Sequence, residues 1–222
     1  MLRQICRRSR LMAFMRDSSF SMINAFKTLT QDVIPSKGTE STSNDMLPLD
    51  VYDDIRSLLN SESPSIPFRH FKDFPHPDSA HVLPRQATSV QHIKIKGRAY
   101  STYKQHHGNS SIGYCFAAGG EIQTCAGFID AIWRQTLDGA TRTFLVISPH
   151  QFLSVEDSQR NPYQRRNGFQ VDIAYTNPSN AHCVVGPNQV IGHIAYYQRP
   201  PGTFGIMSGI TILIDSLYRN RK

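Results

Sequence analysis

Thirteen of the fourteen glycines lie after Ser89, and this asymmetry separates a segment able to turn tightly many times from one that is not. Glycine reaches positive φ without steric cost, so it marks tight turns. Where glycines recur among short apolar, β-branched and aromatic runs, the chain reads as strands rather than helices. Residues 90–222 therefore read as a mainly β domain, either a small barrel or a compact sandwich. The segment before it reads as a largely disordered leader with one or two short helices.

Charge divides the chain further. Residues 1–31 carry six Lys/Arg against one acid, residues 32–89 five against nine, and residues 90–222 thirteen against seven. The net charge of +7 thus belongs to the two ends. A basic domain is drawn to phosphate backbones, anionic lipid or acidic protein segments, although that attraction carries no sequence specificity.

Met1–Arg16 mixes Arg3, Arg7, Arg8, Arg10 and Arg16 with Leu2, Ile5, Leu11, Met12, Phe14 and Met15 and has no acid. That composition suits a mitochondrial presequence, a basic nucleic-acid arm, a nuclear-import patch or a surface-lying amphipathic helix. Residues 32–89 are rich in Pro, Ser and acids, which predicts a tether whose ordering entropy exceeds what burial returns. One helix near 48–60 interrupts it, with Val51, Ile55, Leu58 and Leu59 at helical spacing. Pro64, Pro67, Pro75, Pro77 and Pro84 then exclude helix and central strand.

In the β segment, Ile93, Ile95 and Ala99 alternate with Lys94, Lys96 and Arg98, which predicts one half-buried strand with a cationic outer face. Gly119-Gly120 between two apolar runs predicts a tight hairpin. Its register places Tyr114 opposite Cys125 and Cys115 opposite Thr124, so Cys115 and Cys125 point to opposite faces. Further strands are expected at 141–147, 169–175 and 190–197. The 206–217 run fits strand and helix alike. Four cysteines without a CxxC pair or a secretory signal suggest a reducing intracellular compartment, with the nucleus favoured and the mitochondrion as the alternative. No apolar run is long enough for a membrane-spanning helix.

Chemistry is sparse. Gly205-Ile-Met-Ser208-Gly209 lacks the spacing of a serine nucleophile elbow. His150 and His193 have no evident acid partner, and the carboxylates form no recognisable pair. His106, His107, Cys115, Cys125, His182 and Cys183 are zinc-competent residue types, but their spacing is not that of a ribbon or finger. No glycine-rich phosphate loop is present. These absences predict a non-enzymatic protein without cofactor or metal. The candidate binding residues are instead cations and aromatics: Lys94, Lys96 and Arg98; the loop Arg160-Asn-Pro-Tyr163-Gln-Arg165-Arg166; and Tyr197 with Arg199. Guanidinium groups bind phosphate bidentately and tyrosine offers a stacking face. In the bland alternative the arginines are merely solvated and Tyr163 packs inward. Trp133, Tyr175 and Tyr196 are further aromatic candidates. Tyr196 and Tyr197 point to opposite faces, so at most one belongs in the core.

The order Cys125-Ala-Gly-Phe-Ile-Asp-Ala-Ile-Trp133, Thr143-Phe-Leu-Val-Ile, Asn161-Pro-Tyr163 and Val190-Ile-Gly-His193-Ile-Ala resembles the β-rich region following the transposase core of fungal CACTA-like (Plavaka-type) element proteins. The resemblance covers about residues 45–222 and implies a detached tail without the acidic catalytic triad. The same runs are similar, at the level of fold, to BAH and SH3-like barrels. Together these readings point to an interaction module whose partners are nucleic acid or acidic, chromatin-type protein segments. A reading frame without selected function is the remaining alternative.

Overall fold

A computed structural model describes residues 43–62, 66–118, 121–163, 171–179 and 181–214. In chain order its strands are β1 (Ser43–Met46), β2 (Gln86–Val90), β3 (His92–Ile95), β4 (Arg98–Ser101), β5 (Ser111–Ala118) and β6 (Glu121–Leu137). They continue with β7 (Ala140–Phe152), β8 (Val171–Pro178), β9 (Cys183–Val185), β10 (Val190–His193), β11 (Ala195–Arg199) and β12 (Ile210–Ile214). Helix α1 (Leu49–Ser61) follows β1, and α2 (His107–Ser110) and α3 (Val155–Ser158) are single turns. The protein is mainly β, as its glycine spacing predicts.

The frame is the long hairpin β6–β7. It pairs from Gly127↔Pro149 to Leu137↔Ala140 around Asp138-Gly139, both at positive φ (52° and 77°). Two positive φ values give the turn whose twist matches that of the strands. β5 pairs with the first half of β6 in the expected register, Tyr114↔Cys125 and Cys115↔Thr124, and β2 pairs with the second half. β10 lies beyond β5 and β9 beyond β7, yet β9 and β10 are joined by only Gly186–Gln189 through a 3₁₀ turn. The sheet must therefore curl to bring its flanks together. No ladder closes β9 onto β10 among the described residues, so the result is a curled sheet and not a closed barrel. Beyond Pro149, β7 leaves β9 and pairs with β8. β8, β12 and β11 form the second layer of the sandwich. Within the run that starts at Ile206, Ile210–Ile214 is thus a strand, held between two neighbours. Asp215–Leu217 lie outside the described residues.

Alternation along β6 and β7 fills two cores. Ile129, Ile132, Leu145 and Ile147 face the interior of the curl with Ile112, Tyr114, Val185 and Val190. Trp133, Phe144 and Val146 face outward and would lie in water without a cover. That cover is α1 with the segment after it, through Val51, Tyr52, Ile55, Leu59, Phe68 and Leu83. The Tyr52 hydroxyl donates to the Leu83 carbonyl at 2.9 Å and accepts the Phe71 N–H at 3.2 Å. Asn60 brackets Phe68 with two further bonds.

Two expectations change here. Of the tether expected at 32–89, residues 43–62 and 66–89 pack on or pair with the sheet, and the remainder lies outside the described residues. Its composition is polar, and Met46, Leu49, Ile66 and Phe74 stay exposed, but Leu47, Val51, Tyr52, Ile55, Leu59, Phe68 and Leu83 are buried, and buried area decides the balance. The first expected strand of the domain is instead a hairpin, β3–β4, turning at Lys96 (φ 49°) and Gly97 (φ 79°). Ile93 and Tyr100 face inward together, while Ala99 pairs with Lys94 on the outer side and is exposed. The Met1–Arg16 segment, Pro64 and the Gly119-Gly120 turn lie outside the described residues. No described helix is long and apolar enough to cross a membrane.

Candidate nucleic-acid interface

The arginine-rich loop does not supply free cations where the structure describes it. Arg160 follows α3 and folds back on it, 3.3 Å from the Glu156 carboxylate and 3.6 Å from that of Asp157. It also donates to the Gly205 carbonyl at 2.6 Å. Asp157 in turn accepts from the Tyr175 hydroxyl at 2.7 Å. Arg160 thus ties the loop to the outer layer. Tyr163 packs inward with Ile173, Ile206 and Ile210, its ring edge-on to Phe204 at 6.0 Å. Tyr163 follows the bland alternative, whereas Arg160 is neither merely solvated nor free, being held by two carboxylates and a carbonyl. Arg165 and Arg166 lie outside the described residues.

Tyr196 and Tyr197 do point to opposite faces of β11. Tyr196 packs edge-on against Phe128 at 4.9 Å, and burial pushes its hydroxyl pKa up. Tyr197 is exposed, and Arg199 lies over its ring at 5.2 Å. This pair is a small cation–π surface on an edge strand. Of the other aromatic candidates, Trp133 is buried beneath α1 and Tyr175 is half-buried against the α3 loop.

The hairpin β3–β4 is different. Lys94, Lys96 and Arg98 are all exposed, spread over the two sides and the tip of one short ribbon. Lys94 projects outward opposite Ala99, Lys96 occupies the turn, and Arg98 sits opposite Ile95. No Asp or Glu occurs between Asp78 and Glu121, so no carboxylate within that stretch can neutralise them. None of the three enters an ion pair among the described residues. The ribbon is anchored from beneath by His193, whose ring stacks on Tyr100 at 4.2 Å and whose Nε2 donates to the Ala99 carbonyl at 3.1 Å. Burial lowers the His193 pKa, which keeps a further positive charge from forming under the hairpin.

Sequence reasoning weighed His107, which adjoins this ribbon, only as a zinc-competent residue and passed over Tyr103 and Lys104 as contact residues. Past β4, Lys104 and His107 are exposed. The His107 ring lies parallel to Tyr103 at 4.0 Å and 6°, and Tyr103 leans on Phe128 at 4.8 Å. The turn that holds His107 is fixed by His106, whose Nδ1 accepts the Asn109 N–H at 3.1 Å. Ser110 adds a bond to the His107 carbonyl at 2.8 Å. The signal that could have found these residues is the acid-free stretch itself, which brings rings and cations together without a counter-charge.

Other chemistry is not assembled. No three His, Cys, Asp or Glu side chains come together among the described residues in a way that could hold a metal ion. Cys115, Cys125 and Cys183 are free thiols, and burial raises the pKa of Cys125 and Cys183. His150 is buried against the Phe128 edge at 4.7 Å, with no carboxylate beside it. A depression of about 360 Å³ lined by Gln151, Tyr175, Thr176, Asn177, Ser208 and Gly209 gathers amides and hydroxyls but no charged group. Searches against protein-family models, characterised proteins and solved structures find no match.

Proposed function

We propose that this chain is a non-catalytic module that contacts nucleic acid through the β3–β4 hairpin. The observation that carries this reading is the set Lys94, Lys96 and Arg98, exposed on one anchored ribbon in a stretch without a carboxylate. Cations held without internal counter-charge release counterions from a phosphate backbone on contact, and that release supplies most of sequence-independent affinity. A short two-stranded ribbon also has the dimensions to enter a groove or track a strand. The resemblance to transposable-element proteins agrees with a nucleic-acid partner.

The test is titration of the full chain with duplex and single-stranded oligonucleotides across a salt series. Lys94→Ala/Lys96→Ala/Arg98→Ala is expected to weaken binding and to reduce the slope of log K against log salt by about 2 to 3. Arg160→Ala is expected to leave binding unchanged, because that guanidinium is already engaged by Glu156, Asp157 and Gly205. Unchanged binding in the triple variant overturns the assignment. Binding to poly-glutamate but not to nucleic acid moves the partner to an acidic protein segment.

A further inference from the structure

Resting on that reading, we infer that the surface takes single-stranded nucleic acid, with one base stacking on the open face of His107. Phe128, Tyr103 and His107 form a ladder of rings. Phe128 is buried, Tyr103 half-buried and His107 exposed, so the ladder runs from the core to solvent. Its outermost contact is a parallel stack, 4.0 Å between centroids and 6° between planes. Only one face of the His107 ring is covered by Tyr103. A base placed on the other face extends an ordered stack instead of creating one.

The rest of the path is cationic. From His107 the chain leads back through Lys104 to the base of β4, and the ribbon then carries Arg98, Lys96 and Lys94. From Lys96 to Tyr103 the backbone can reach at most about 25 Å. That is the reach of a several-nucleotide site, in which a basic groove follows the phosphates and aromatic rings take the bases. A duplex presents its base faces to each other and cannot use the ring. A single strand can.

His106 and Ser110 hold the position of His107, and those two bonds are made by the main chain of Asn109 and of His107 itself. Substituting the His107 side chain therefore leaves the turn intact. His107→Leu covers Tyr103 with an apolar group but offers no π face. It is expected to weaken binding of the full chain to dT12 and U12 about tenfold, with the salt slope unchanged and duplex binding unaffected. His107→Phe is expected to restore single-strand affinity. In His107→Trp, fluorescence at the new indole is expected to be quenched when dT12 binds, beyond any change seen in the unsubstituted chain. The inference is overturned if His107→Leu binds both single strands like the parent chain, if duplex affinity falls equally, or if the new indole is not quenched. Those outcomes leave the hairpin assignment standing as long as the triple Lys94/Lys96/Arg98 variant still loses affinity. A parent chain that binds no oligonucleotide at low salt removes both. Equal losses on dT12 and U12 are the expected result, while a loss confined to one of the two strands overturns a contact made by stacking alone.

Discussion

A chain that begins at residue 90 is expected to lose the cooperative thermal transition that a chain beginning at residue 43 retains. The cut removes α1 and the strand β2 beside β6, and it strips the outward faces of Trp133, Phe144 and Val146 of their cover. Leu47, Tyr52, Ile55 and Leu83 are each fully buried, and a buried side chain of this size contributes about 1.5–3 kcal/mol. Several such losses together reach the 5–15 kcal/mol that is the whole stability of an ordinary domain. The β6 edge at Ile132–Arg134, paired with β2 in the intact chain, is also left open to strand addition. Tryptophan emission checks the outcome directly, since Trp133 is the chain's only tryptophan. Its spectrum is expected to shift to the red in the shortened chain, and a cooperative melt with blue emission there would contradict the packing argument. Tyr52→Phe provides a graded version. It keeps the ring but leaves the Leu83 carbonyl and the Phe71 N–H without their partner, at a cost of about 1–3 kcal/mol.

The boundary at residue 90 illustrates how a composition average misleads. From Ser43 to Ser89 the chain is polar and proline-bearing, and averaged over that window it cannot support a core. A few apolar residues, Val51, Tyr52, Ile55 and Leu59 at helical spacing in α1 and Phe68 and Leu83 beyond it, nevertheless join one buried cluster with Trp133, Phe144 and Val146 of the sheet. Register was legible where a two-residue turn fixed it: Tyr114↔Cys125 follows from Gly119-Gly120 alone, and the opposite faces of Tyr196 and Tyr197 follow from strand parity. The β3–β4 hairpin was hidden because its turn begins with Lys96, a residue that rarely takes positive φ, so the alternation reads straight through it. Arg160 shows the complementary difficulty. A run of arginines in a loop signals positive charge, but the Glu156 and Asp157 that neutralise it, four and three residues earlier, lie in another element whose helical turn was not foreseen.

The same sandwich that hides Trp133 on one side hides a histidine on the other, and that gives stability a defined pH dependence. His150 sits at the corner where β7 passes from the curled sheet to the outer layer, buried with only 4 % of its surface exposed. Neither ring nitrogen has a hydrogen-bond partner among the described residues. Phe128 meets its ring edge-on, and burial lowers its pKa from 6.5 to about 4. The folded state therefore keeps His150 neutral where the unfolded chain protonates it. Stability from this residue is complete above pH 6.5 and is lost as the pH falls toward 4, because the unfolded state binds the extra proton. At about 1.4 kcal/mol per pH unit, the loss across that window is about 3 kcal/mol. His150→Phe keeps a ring against Phe128 and removes both nitrogens. At pH 7 the variant is expected to be as stable as the parent chain or more so, since a buried polar group without a partner is a cost. Between pH 6.5 and 4 its midpoint in urea is expected to fall much less than that of the parent. His193, also lowered by burial, titrates in both proteins, so the difference between the two curves isolates His150. Parallel curves would mean that His150 is protonated in the folded protein and that the corner between the two layers admits charge.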